Sequence, residues 1–207
     1  MCPRSSYFTS NDTCETILKM LMGYLSHKTP RTGSSFASMG KDQYQIHGLA
    51  LCRGNLSHVG CVDSVSEAKS HVRVYCHNDK AATIWYGNCL LKYSNKNFFS
   101  RVDAIEVVVC ATNTVNGSEP VAVSLVKVNK LLRELAEKAS ETPQMYATGN
   151  LKLDESRKLH GLVQCTRDLS RNNCAKCQEI KNKKIDRVEG GSRPGFHVVA
   201  LPISCLI

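Results

Sequence analysis

The stretch HGLALCRGNLSHVGC at residues 47–61 returns as HGLVQCTRDLSRNNC at residues 160–174. Laid over each other without a gap, at an offset of 113 residues (47 against 160), the two share His, Gly, Leu, Cys, Leu, Ser and Cys. Solenoid repeats recur every 20–50 residues or so, so a period this long marks a repeated domain. The 207-residue chain reads as a tandem duplication, with a first domain over residues 1–103, a linker over 104–119 and a second domain over 120–207.

Working outward from the repeated stretch, each half follows one plan. Ile17, Leu18, Leu21 and Leu25 recur at helical spacing, as do Val128, Leu131, Leu132 and Leu135, so an amphipathic helix opens each unit. A polar connection follows, then a strand entering the motif, at Tyr44 to Cys52 and at Leu159 to Cys165. Ser57 and Ser170 stand where N-caps of a second helix belong, and that helix is expected to run to about Arg73 and Arg187. In TIWYGNCLLKYS, residues 83–94, β-branched and aromatic residues flank a turn, which predicts a hairpin. FHVVALPISC, residues 196–205, takes the equivalent place in the second unit.

Composition narrows the function. Eleven cysteines in 207 residues point to an oxidising compartment. The sequons at Asn11, Asn55 and Asn116 agree with a glycosylated, secreted chain. The opening residues MCPRSSYFTS hold no apolar stretch of the signal-peptide kind. No run approaches the roughly 18–20 apolar residues of a membrane span. The net charge of +9 is scattered apart from Lys181, Lys183, Lys184, Arg187 and Arg193, and no nucleic-acid-binding module accompanies it, so no nucleic-acid partner is expected.

Catalytic and metal chemistry find little support. His47 and His160 recur beside cysteines, but both lead into strands bound for the core, where a structural histidine is the commoner case. The chain holds none of the serine-hydrolase, zinc-protease, phosphate-loop or dinucleotide fingerprints. Cys174 and Cys177 form a C-x2-C, yet a zinc site needs a second ligand pair and a thioredoxin-like motif needs a βαβ setting. A structural disulfide is the remaining reading, and neither a catalytic residue, a metal nor a cofactor is expected.

The C-x8-C-x2-C spacing of Cys165, Cys174 and Cys177, together with GLALCRGNLS, IWYGNCLLKYSNKNFF, MYATGN and GLVQCTRDLS, resembles the plant cysteine-rich repeat family. Its module is the ginkbilobin-homologous, or salt-stress response/antifungal, domain. The family includes secreted tandem-domain proteins, plasmodesmata-located proteins and ectodomains of cysteine-rich receptor-like kinases. The resemblance implies an α+β fold of two tandem domains, each with two helices on an antiparallel sheet of about five strands. It also implies disulfides Cys2–Cys76, Cys52–Cys61, Cys165–Cys174 and Cys177–Cys205. Ser64 stands where the family's third bridge would begin, which orphans Cys89; Cys14 either takes that place or stays free, and Cys110 has no obvious partner. The second domain is expected to stop short of its C-terminal strand.

Antifungal members of the family bind mannose through an Asn, an Arg and a Glu; the matching places here hold Pro3, Thr83 and Ser94. No ligand-binding residue carries over. What the resemblance implies is a secreted, non-enzymatic binding protein of plant stress or defence type, recognising a cell-wall glycan or a protein partner. The alternative is an interaction fragment, similar to a receptor-kinase ectodomain, that pairs as a homo- or heterodimer with related cell-surface proteins.

Overall fold

A computed structural model describes residues 13–77, 79–101, 125–152, 158–175 and 203–205. The chain divides into two compact units, 1–99 and 100–207. The expected linker, 104–119, lies outside the described residues.

In the first unit, helix α1 (Thr13–Thr32) buries Ile17, Leu21 and Leu25 along one face, the positions that the apolar spacing marks. Gly33 stops it. Its φ of 79° is a conformation that favours glycine, and its N–H returns to the Thr29 carbonyl at 2.7 Å. Strand β1 (Ser34–Met39) follows at once, and a 3-10 turn at Asp42–Tyr44 leads to β2 (Ile46–Cys52). The polar connection expected here therefore contains a strand. Its sequence, SSFASM, alternates too weakly to declare itself, because β1 is an edge strand with only its first two residues buried. The entering strand also starts two residues later than expected, since Tyr44 belongs to the 3-10 turn.

Helix α2 (His58–Tyr75) then crosses to β3 (Ala81–Tyr86) and β4 (Cys89–Ser94), the predicted hairpin. The sheet order is β1-β2-β4-β3, with every pair antiparallel. Against the expectation of about five strands, four are present among the described residues.

Strand β2 lies second in the sheet and is buried at all seven positions. Ile46 and Ala50 join the core formed with α1 and α2, which includes Leu21, Leu25, Ala68 and Val72. Side chains alternate along a strand, so His47, Leu49 and Leu51 face the other way. There Phe99 packs against Phe36 and edge-on against His47, with centroids 5.3 and 5.6 Å apart, and the Lys92 ammonium lies 4.2 Å from the Phe98 ring centroid. A strand covered on both faces explains why IHGLALC carries so little polarity.

The second unit holds α3 (Leu125–Glu141), β5 (Tyr146–Lys152), β6 (Lys158–Cys165) and β7 (Ile203–Cys205). Leu131, Leu132, Leu135 and Ala139 of α3 form its core with Ala147 and Val163. The strands run β5-β6-β7, with β5 antiparallel to β6 and β7 parallel to it. In the first unit the β3–β4 hairpin reverses the chain before β4 meets β2; a parallel neighbour is reached by a crossover. The α+β architecture holds in both units, and the second sheet departs from the all-antiparallel expectation at this one pair.

The repeated His-Gly-Leu now has a packing reason. A Cβ on Gly48 would lie 2.8 Å from Leu21 Cδ2 and 3.0 Å from Leu25 Cδ1. A Cβ on Gly161 would lie 2.8 Å from Leu135 Cδ1 and 3.0 Å from Leu131 Cδ2. In both units a leucine pair of the first helix rests on bare backbone. Gly48→Ala should cost about 1–3 kcal/mol by overpacking. Urea denaturation would read this as a lower midpoint at unchanged slope, and an unshifted midpoint would show that the helix can retreat at no cost.

Candidate functional site

The most chemically distinctive region is the turn from β2 into α2. Leu56 N–H donates to the Arg53 carbonyl at 2.9 Å, closing the turn. Ser57 then caps α2, its Oγ accepting from Gly60 N–H at 3.1 Å, while Cys61 N–H donates to the Ser57 carbonyl at 2.9 Å. Cys61, in the first turn of α2, is thereby brought to Cys52 at the end of β2, and the two form a disulfide with Cα atoms 5.8 Å apart. The second unit repeats the arrangement bond for bond. Leu169 N–H donates to Thr166, Asn173 N–H to Ser170 Oγ, Cys174 N–H to the Ser170 carbonyl, and Cys165 is bonded to Cys174. Residues 171–175 are helical.

The two modules differ in what surrounds the sulfurs. In the second, Met145 and Leu169 pack on the bridge. In the first, the bridge packs with Leu56, Val65 and Cys89, a free, buried cysteine. The sulfurs of Cys52, Cys61 and Cys89 all lie within 4.8 Å of one another. Three cysteines at that separation can hold a soft metal, but two of these are joined in a disulfide and offer no thiolate. Burial pushes the Cys89 thiol up to about 12, opposed by a hydrogen bond with Ser64. Ser64, where the resemblance leads one to look for a cysteine, thus meets Cys89 as a hydroxyl.

The remaining cysteines place as follows. Cys76 is disulfide-bonded; Cys2, the partner that the resemblance implies, lies outside the described residues, as do Cys110 and Cys177. Cys14 is buried in the α1 core, and Cys205 stands opposite Cys165 in the β6–β7 register. Of the sequons, Asn55 is exposed in the β2–α2 turn, its Oδ1 accepting from Arg53 Nε at 2.7 Å, whereas Asn11 and Asn116 lie outside the described residues.

The repeated histidines stand in the strand ladders of their sheets, and the described sugar-contact positions lie on the β3–β4 hairpin. His47 is buried, with its Nδ1 2.7 Å from Ser38 Oγ across the β1–β2 pair, and desolvation holds its pKa below the ordinary histidine value. His160 stands opposite Asn150 in the β5–β6 ladder. Thr83 lies on edge strand β3 and Ser94 ends β4, where its Oγ accepts from Lys96 N–H at 3.0 Å; Pro3 lies outside the described residues. A groove of about 100 Å³ opens between α1 and α2, with Leu18, Met22 and Val72 among its apolar lining. On its rim Glu15 pairs with Lys19 at 2.7 Å and lies 3.9 Å from Arg73, and the Lys19 hydrogen bond lowers the Glu15 pKa. Ser38 and His47 place a hydroxyl within hydrogen-bond reach of an imidazole, and the imidazole is buried.

The family model described as salt stress response/antifungal matches residues 1–96 and again 109–205. An antimicrobial ginkbilobin-2-like protein of Castanea crenata is 40% identical over 194 residues, covering 94% of this chain and 80% of the relative. Cysteine-rich repeat secretory protein 38 of Arabidopsis thaliana is 39% identical, covering 89% of this chain and 77% of its own length. Among solved structures, the tandem DUF26 ectodomain of the Arabidopsis thaliana cysteine-rich receptor-like protein PDLP8 matches the fold with a TM-score of 0.75 at 18% identity. That match covers 91% of this chain and 86% of the ectodomain.

The buried histidine generates a pH dependence. The folded chain holds His47 below its ordinary pKa, so as pH falls the unfolded chain takes up the proton first, and stability drops from about pH 6.5 downward. Urea midpoints measured at pH 7.5 and 5.5 should therefore fall more in the native chain than in His47→Gln, whose amide can still meet Ser38. Equal falls in the two proteins would place the dependence elsewhere.

Proposed function

Because this chain belongs to the salt stress response/antifungal family of cysteine-rich plant proteins, we propose that it works outside the cell as a non-enzymatic binding protein of defence type, recognising a cell-wall glycan or a cell-surface protein. The observation that carries the reading is the coverage. One match spans 80% of an antimicrobial protein, and the two family modules account for nearly all of the chain. The disulfides Cys52–Cys61 and Cys165–Cys174 suit an oxidising exterior.

A specific observation favours a protein partner over a sugar. The described positions equivalent to the family's sugar contacts hold Thr83 and Ser94, and charged hydrogen bonds are about twice as strong as neutral ones. Helix α2, by contrast, exposes Val59, Val74 and Tyr75, at 67%, 73% and 69%. Tyr75, at the C-terminal end of the helix beside Val74, is of a residue type enriched in protein contacts. Pairing with a related ectodomain, as a homo- or heterodimer, is the form of contact we favour.

Two experiments test these statements. On oxidised, monodisperse protein, a glycan array and a mannan-binding assay should give no saturable signal. Saturable binding to mannose or another wall sugar would instead make the chain a lectin with a site of its own. We further propose Asn11, Asn55 and Asn116 as glycosylation sites. For exposed Asn55, protein secreted from a plant host should lose one glycan mass on Asn55→Gln substitution, and an unchanged mass would remove Asn55 from the set.

A further inference from the structure

Beside the β2–α2 disulfide of the first unit lies a third cysteine sulfur, that of Cys89. We propose that Cys89 is a resident nucleophile for the Cys52–Cys61 disulfide, so that the bridge can migrate to Cys52–Cys89 and release Cys61 in the first turn of α2.

Four observations carry the proposal. All three sulfurs lie within 4.8 Å of one another, so exchange needs side-chain rotation and no displacement of a strand. Cys52 and Cys89 are directly opposed in the β2–β4 register. Opposed residues of an antiparallel pair have Cα atoms about 4.5–5.5 Å apart, within the roughly 4.4–6.8 Å that a disulfide spans. Cys61 is the natural leaving group, since the free N–H groups and dipole at a helix N-terminus favour a thiolate there. A leaving thiol of lower pKa departs faster. Finally, the Ser64 hydroxyl, one turn further along α2, is hydrogen-bonded to Cys89 and already addresses the attacking sulfur.

The step balances without an added oxidant or reductant. The Cys89 thiol gives its proton to solvent, and its thiolate attacks Cys52 Sγ. The Cys89–Cys52 bond forms as the Cys52–Cys61 bond breaks, and the departing Cys61 thiolate takes a proton back. The groups around Cys89 are Cys52 on β2, Cys61 and Ser64 on α2, Tyr86 opposite it on β3, and apolar Leu56 and Val65. None is charged at neutral pH. Burial therefore keeps Cys89 protonated and the resting bridge at Cys52–Cys61, while deprotonation or local opening releases the exchange.

The test uses the full, oxidised chain held between pH 7 and pH 10. Samples are quenched in acid, blocked with a maleimide, digested without reduction and mapped by mass spectrometry. The expected result is a Cys52–Cys89 linked peptide with the maleimide on Cys61. It should form at a rate independent of protein concentration that rises about tenfold per pH unit below the thiol pKa. Cys89→Ser should retain Cys52–Cys61 throughout. The proposal is overturned if Cys89 becomes open to alkylation while the Cys52–Cys61 peptide persists. A Cys61–Cys89 product, or a rate that scales with concentration, overturns it equally.

Discussion

Each unit depends on the close approach of a helix to a strand at a glycine. Leu21 and Leu25 lie over Gly48, and Leu131 and Leu135 lie over Gly161, at distances that leave no room for a Cβ. That contact sets the depth at which the first helix sits. Strand alternation then decides which side chains of β2 meet the helix and which turn away. Ile46 and Ala50 fall on the helix side of β2, while His47 is turned to the other face, against Phe99 and Ser38. The histidine of the motif is thus a neighbour of the packing glycine, and its burial is a consequence of strand alternation.

The second constraint is the end of that same strand. A short turn and a serine cap deliver the fourth residue of α2, Cys61, to the last residue of β2, and a covalent bond secures the result. The cap and the disulfide cooperate. The hydrogen bonds of Ser57 hold the first helical turn in the geometry that the bridge requires, and the bridge prevents that turn from fraying. Its repetition around Ser170 and Cys174 shows that the duplicated unit is the strand–turn–helix together with its bond network.

Chemistry and surface are separated in this fold. The sulfur of Cys89, the depressed imidazole of His47 and Lys92 are all buried, whereas α2 exposes Val59, Val74 and Tyr75 beside Asp63, Glu67 and Arg73. The fold shields these three groups from solvent and leaves apolar and ionisable side chains together on the outside of α2.

The repeat, the two helical faces, the serine caps and the hairpin were legible in the sequence, because each rests on local spacing: 3.6 residues for a helix, two for a strand, a serine three residues before the amide it caps. Other features were not. Strand β1 escaped because an edge strand needs no apolar alternation, and the parallel β6–β7 pair because local pattern carries no strand direction. Which cysteine neighbours which came from resemblance, and neither spacing nor resemblance placed Cys89 beside the Cys52–Cys61 bridge. By itself, then, the sequence determined the helical faces, the caps, the hairpin and the duplication, since neighbours along the chain decide these. Only the tertiary structure decided the company kept by Gly48, His47 and Cys89, because each is defined by residues at least nine positions away that meet it solely when sheet and helix close upon each other.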